Sequence, residues 1–251
     1  MKIHELLPTP YLRKAFKAYI FILSVPPSYD YSQVKSRLEA LKMRNPIGEL
    51  KGTTTVGVVC SDGVILATDT RATMGSYVAS KHAKKVYRIT NRLAMTVAGG
   101  VAVAQRVVDI LRVNAKLFEL EKRRPIPIAS AARLVSNILF ANREVGVPLP
   151  LQALVGGYDD SGAHVFSLDP FGSLTEEKVV STGSGSPVAY GVLEDQYKED
   201  RSVKELLPIV VRAVDSAMKR DVASGDSYDV AVVTEDGFRE LPPEEKHALL
   251  S

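Results

Sequence analysis

The order of elements along this chain predicts an α+β fold: a four-layer αββα sandwich in which two antiparallel sheets stack face to face under outer helix layers. Two observations point there. Hairpin signals recur near the start, middle and end of residues 53–241, and the helices between them come in pairs. A parallel βαβ sheet would instead alternate single strands with single helices.

The elements follow in order. Thr54–Cys60 reads as a strand, Ser61-Asp62-Gly63 as a tight turn and Val64–Thr68 as the returning strand. A second hairpin spans Val86–Thr90 and Leu93–Ala98 around Asn91-Arg92. Val103, Val107, Ile110, Leu111 and Phe118 recur at helical spacing, as do Ala131, Leu134, Val135, Ile138 and Leu139. Leu151–Val155 and His164–Leu168 are strands around the turn Asp159-Asp160-Ser161-Gly162. Two more helices cover about 186–198 and 203–220, the second opened by a capping box from Ser202 to Glu205, with a bend expected at Pro208. Asp229–Thr234 and Phe238–Leu241 close the series around Asp236-Gly237.

Composition narrows the function. With 251 residues, 45% hydrophobic and 24% charged, the chain is of ordinary globular make-up and long enough for one sizeable domain. The lone Cys60 excludes an internal disulfide framework and any multi-cysteine metal site, and four scattered histidines show no metal-ligand spacing. The charge divides unevenly. Residues 1–52 carry nine basic and four acidic side chains, and the remainder is net −2, so the folded body offers no basic stripe for nucleic acid. Residues 1–52 also hold five of the fourteen prolines and no strand alternation, which reads as a leader before a domain over 53–251. The run Tyr19–Val25 after Lys14 and Lys17 imitates a secretory signal. Pro26-Pro27 interrupts it directly, no small-residue cleavage site follows, and it is too short to span a membrane. Met43 offers an alternative start, leaving nine residues before Gly52.

The body opens on Gly52-Thr53-Thr54-Thr55-Val56-Gly57. A run of three threonines is by itself a plain strand. At a chain terminus, however, a threonine carries its own base, because its α-amino group has a reference pKa of about 7.7–8.0 and takes the hydroxyl proton at neutral pH. A lysine nearby favours the alkoxide-like form, and a carboxylate holds that lysine.

The segment GTTTVGVVCSDGVILATDTRAT, from Gly52 to Thr73, resembles the mature start of archaeal proteasome β subunits. The likeness continues through KHAKKVYRIT (81–90), MTVAGG (95–100), LVGGYD (154–159), STGSGSPVAYGVLE (181–194) and KRDVASGDSYDVAVVT (219–234), covering essentially all of 53–241. It implies the N-terminal nucleophile hydrolase fold and a threonine endopeptidase made as a zymogen, with residues 1–52 a propeptide removed by self-cleavage between Gly52 and Thr53. Thr53 matches the nucleophile and Lys85 the catalytic lysine. Asp69 matches the acid of that site, and Gly99 the glycine whose N–H stabilises the oxyanion. Ser184, Asp221 and Ser224 match the group around the terminal amine, and Arg71 a supporting arginine. Ala72, Ala83, Val97 and Val101 correspond to the first substrate pocket; all are small or apolar, so cleavage after hydrophobic residues is expected. Lys84 and Lys85 are adjacent, and strand alternation lets one of them face the site; the resemblance selects Lys85. Asp69 and Arg71 also read as a simple surface ion pair.

The resemblance further implies seven-membered β rings stacked in pairs between α rings, a 28-subunit cytoplasmic core fed with unfolded polypeptide by a regulatory ATPase ring. It implies neither a metal nor an organic cofactor. Three rival readings remain: a non-catalytic β subunit that keeps its leader, an α-type subunit, and the bacterial two-component ATP-dependent protease. The Gly-Thr junction argues against the α type, and the STGSGS and RDVASG segments against the bacterial relative.

Overall fold

The computed structural model describes residues 52–74, 76–143 and 149–249. The chain divides into two units, Met1–Pro46 and Ile47–Ser251, and the second carries every element below. The leader expected over 1–52, with its prolines, its apolar run and Met43, lies outside the described residues apart from Gly52.

In chain order the elements are β1 (Thr54–Cys60), β2 (Gly63–Asp69), β3 (Ala72–Met74), β4 (Tyr77–Ser80), β5 (Val86–Arg88), β6 (Leu93–Gly99), α1 (Val101–Lys122) and α2 (Ile128–Arg143). There follow β7 (Leu151–Asp159), β8 (Gly162–Leu168), β9 (Leu174–Glu176), β10 (Val179–Gly183), α3 (Ser186–Gln196), α4 (Val203–Arg220), β11 (Tyr228–Thr234), β12 (Gly237–Glu240) and α5 (Pro243–Ala248). One five-stranded sheet runs β10-β1-β2-β11-β12 and the other β5-β6-β7-β8-β9, with every pairing antiparallel. A separate ribbon pairs β3 with β4.

Three apolar clusters define the layers. Val56, Val58, Ile65, Ala67, Val230 and Val232 of the first sheet pack on Leu193, Leu206, Val210 and Val214 of α3 and α4. Met95, Val97, Val155 and Phe166 of the second pack on Leu111, Val135 and Leu139 of α1 and α2. Between the sheets lie Val59, Val64, Leu66, Val180 and Val233 from one side and Ala94, Leu154 and Val165 from the other. The alternation along β1 explains this, since Val56 and Val58 turn to the helices and Val59 to the opposite sheet, leaving every residue of the strand buried. The fold is thus the αββα sandwich that the element order predicts.

The capping box forms, with the Ser202 N–H donating to Glu205 Oε2 at 2.9 Å, and α4 runs on continuously through Pro208. The strand predicted over 86–90 ends at Arg88, because the N–H groups of Ile89 and Thr90 both turn to the Leu93 carbonyl. Five short elements have no counterpart in the sequence reading: β3, β4, β9, β10 and α5. Each has three to six residues, too few to display a period.

Leu154 is fully buried between the sheets. Its replacement by Ala is expected to destabilise the fold by about 2–5 kcal/mol, read as a lowered urea midpoint with an unchanged circular dichroism spectrum before the transition.

Candidate active site

Thr53 immediately precedes β1 and is 5% exposed, so the first sheet takes in the junction instead of leaving it frayed. Three connections converge there. The β1–β2 hairpin brings Asp69, the last residue of β2, beside the start of β1. The stretch before β5 brings Lys85, and the loop after α4 brings Asp221 and Ser224.

Asp69 is completely buried and takes four donors. Its Oδ1 accepts from the Thr54 N–H at 2.9 Å and from Lys85 Nζ at 2.7 Å. Its Oδ2 accepts from the N–H groups of Arg71 at 3.0 Å and Gly225 at 3.1 Å. Burial pushes the Asp69 carboxyl above its ordinary value, against the pull of Lys85 and of the Thr54 and Gly225 amides. Burial likewise lowers the Lys85 ammonium, against the opposing pull of Asp69.

Lys85 is aimed by its backbone. Its carbonyl accepts from the Val97 N–H on β6 at 3.0 Å, while the Ala83 N–H donates to the Thr70 carbonyl at 2.8 Å. The two adjacent lysines separate: Lys85 is buried, and Lys84 is half exposed and pairs with Glu240 and, at 3.6 Å, Asp229. Lys85 Nζ also donates to the Gly52 carbonyl oxygen at 2.9 Å, and the Thr53 hydroxyl donates to that same oxygen at 2.5 Å. Lysine and hydroxyl therefore converge on the carbonyl of the Gly52–Thr53 peptide bond, which is intact in this structure.

On the other side, Asp221 caps the C-terminus of α4 and accepts from Ser184 Oγ and Ser224 Oγ, each at 2.6 Å through Oδ2. With the Ser224 proton committed there, the Thr54 hydroxyl donates to Ser224 Oγ at 2.8 Å. Ser184 Oγ lies 3.5 Å from both the Gly52 nitrogen and the Thr53 carbonyl oxygen. Ser184 thus stands beside the Gly52–Thr53 junction, and Asp221 links it to Ser224.

Arg71 makes its ion pair elsewhere than the sequence suggests. Its guanidinium meets Asp226 at 2.8 Å and donates to the Val222 carbonyl at 2.8 Å; toward Asp69 it offers only its backbone N–H. It lies flat on Gly225, where an added Cβ would come 2.6 Å from Cζ. Arg71 thereby holds the loop whose Gly225 N–H reaches Asp69.

A cleft of about 270 Å³ opens beside Thr53, lined by Ala72, Ala83, Val97 and Val101, the four expected pocket residues. Gly99, which ends β6 two residues before α1, lines it as well. Sequence reasoning missed Thr73, Tyr87 and Gln105 in the same lining, and the amides of Thr54 and Gly225 on Asp69. The three side chains are common residue types in short or amphipathic segments, and a backbone donor has no sequence signature. Cys60 offers no rival nucleophile, since burial pushes its thiol up to about 12. Among the described residues no acid, histidine and cysteine cluster could hold a metal ion, and no helix is long and apolar enough to cross a membrane.

A family model described as "Proteasome subunit" matches residues 49–233. The chain belongs to the proteasome subunit family. Its relatives place it on the β branch. It is 50% identical over 206 residues to a proteasome subunit beta of Methanosarcina mazei, which covers 80% of this chain and 97% of the relative. It is 51% identical over 201 residues to that of Ferroglobus placidus, covering 80% and 95%. Against that of Archaeoglobus fulgidus it is 49% identical over 202 residues, covering 80% and 94%.

Replacing Arg71 by Ala is expected to loosen residues 221–226 while the sheets persist. Hydrogen exchange at the Gly225 amide should quicken by roughly 5–30-fold, the range for losing one or two such contacts.

Proposed function

We propose that this chain is a threonine endopeptidase subunit that cuts its own leader away between Gly52 and Thr53 and then hydrolyses peptide bonds of unfolded polypeptides. The observation that carries this reading is the convergence of the Thr53 hydroxyl and Lys85 Nζ on the Gly52 carbonyl oxygen, at 2.5 and 2.9 Å. No other arrangement of side chains among the described residues brings a hydroxyl and a buried cation to one backbone carbonyl in this way.

In the first step the Thr53 oxygen adds to the Gly52 carbonyl carbon while Lys85 polarises the carbonyl. The C–N bond then breaks, the hydroxyl proton passes to the departing nitrogen, and an ester links Gly52 to Thr53 Oγ. Water hydrolyses the ester, releasing residues 1–52 and leaving Thr53 as the terminus with a free amine. In the second role that amine, oriented by Ser184, Asp221 and Ser224, takes the hydroxyl proton as Thr53 attacks a substrate carbonyl. Lys85, steadied by Asp69, favours the alkoxide-like oxygen. The Gly99 N–H stabilises the tetrahedral oxyanion, next to the positive end of α1. An acyl-ester forms, and water activated by the amine resolves it. Arg71 supports the site from outside.

Ala72, Ala83, Val97 and Val101 are small or apolar, which supports cleavage after hydrophobic residues, although Lys84 and Lys85 share the same lining. Membership of the family supports assembly with α subunits and other β subunits into a four-ring, 28-subunit cytoplasmic core, fed by an ATPase ring through the α rings.

Three outcomes test this. Thr53→Ala in the assembled particle is expected to keep its leader, at an intact mass of 27.3 kDa, and to lose peptidase activity. Normal processing of that variant would sink the self-cleavage mechanism, and a wild-type chain found at full mass in the particle would favour a non-catalytic subunit. The pH profile of kcat/KM should fall on the alkaline side below the ordinary lysine value of about 10.4, because rising pH strips the lowered Lys85 ammonium of its charge. Matched fluorogenic peptides should be cut faster after large apolar residues than after acidic ones.

A further inference from the structure

Gly52 sits with φ +110°, in the left-handed half of backbone space that side chains avoid. It also faces a wall. A Cβ built on Gly52 would lie 2.4 Å from Thr73 Oγ1, but 3.5 Å from both Thr73 Cβ and Thr73 N, ordinary contact distances. The obstruction is therefore the hydroxyl alone. That hydroxyl is buried and has no hydrogen-bond partner, a state that folded proteins seldom tolerate without a reason.

Its direction is set by an irregularity in the ribbon. Ala72 pairs with Ser80, whereas Thr73 pairs with Val78, so the register shifts between these neighbours. Such a bulge re-aims the side chain that follows it. Here it presents Thr73 to the cleft shared by Gly52, Thr53 and Lys85.

We infer that Thr73 is the specificity-determining residue of self-cleavage: its hydroxyl closes the space beside the α-carbon preceding Thr53 and so restricts that position to glycine. The inference rests on the self-cleavage proposed above. It makes leader and substrate unequal guests of one cleft. The leader enters with positive φ and no side chain, its bare α-carbon against Thr73. A substrate residue with a side chain must adopt negative φ and turn that side chain away from Thr73, toward Ala83, Val97 and Val101.

The test is a double-mutant cycle on the full-length chain co-assembled with its α partner, following leader release by mass spectrometry. Gly52→Ala alone is expected to slow release by about 100-fold or more, from backbone strain and the wall together. Adding Thr73→Ala removes the wall and should restore about tenfold. Adding Thr73→Val keeps both γ positions filled on a stiff side chain and should restore nothing. Thr73→Ser, whose hydroxyl can rotate aside, should restore part, and it serves where Thr73→Ala does not assemble. Equal slowing by Gly52→Ala in every background would show that φ alone demands glycine and would overturn the role of Thr73. Restoration by Thr73→Val as strong as by Thr73→Ala would overturn it too. Leader loss from Thr53→Ala would instead overturn self-cleavage itself, and this inference with it.

Discussion

The site hangs on one buried ion pair, Lys85 with Asp69. Taking both charges out of water costs several kcal/mol per ion, and their attraction offsets this only when every remaining lone pair is used. Asp69 meets that condition through two backbone amides on Oδ2 and a third on Oδ1, besides Lys85 itself. Those amides come from Thr54 at the head of β1, Arg71 just past β2 and Gly225 in the loop after α4. A single carboxylate thus ties together three segments far apart in sequence. The position of Lys85 Nζ, and with it the polarity around the Gly52 carbonyl, follows from that knot.

The sandwich supplies the rigidity this needs. β1 is buried on both faces, between the helix layer and the opposite sheet, and Thr53 continues directly from it. Lys85 comes from the edge of the second sheet, fastened to β6 through its own carbonyl. Cation and hydroxyl therefore belong to different sheets, and their separation depends on the apolar filling between them. Leu154 and Val165, packed between the sheets, help to set that spacing.

Much of this was legible in the sequence because the side chains carry their own signatures. Periodicity located α1 and α2, a capping box marked the start of α4, and turn residues located the main hairpins. The ordered motifs singled out Thr53, Asp69, Lys85, Ser184, Asp221 and Ser224, which the fold gathers into one place. What stayed hidden has a common cause: it depends on backbone or on pairing register. The amides of Thr54 and Gly225 look like any others in a sequence. Asp226, the true partner of Arg71, is separated from it by more than half the domain, while Asp69 stands two residues away and suggests the wrong pair. Thr73 owes its direction to a register shift in a strand of three residues, which no pattern reveals.

The burial of Thr53 also bears on how the proposed terminus would come to exist. Chain ends ordinarily fray into water, and an α-ammonium taken into a closed site during folding would enter as an uncompensated charge. With Gly52 attached, the same nitrogen goes in as a neutral amide, carried by a chain that is simply continuing into a strand. Under the proposed self-cleavage the charge would arise only once Ser184, Asp221 and Ser224 are already in place beside the junction. A buried start of chain is in this sense a product of the finished fold and not an ingredient of it.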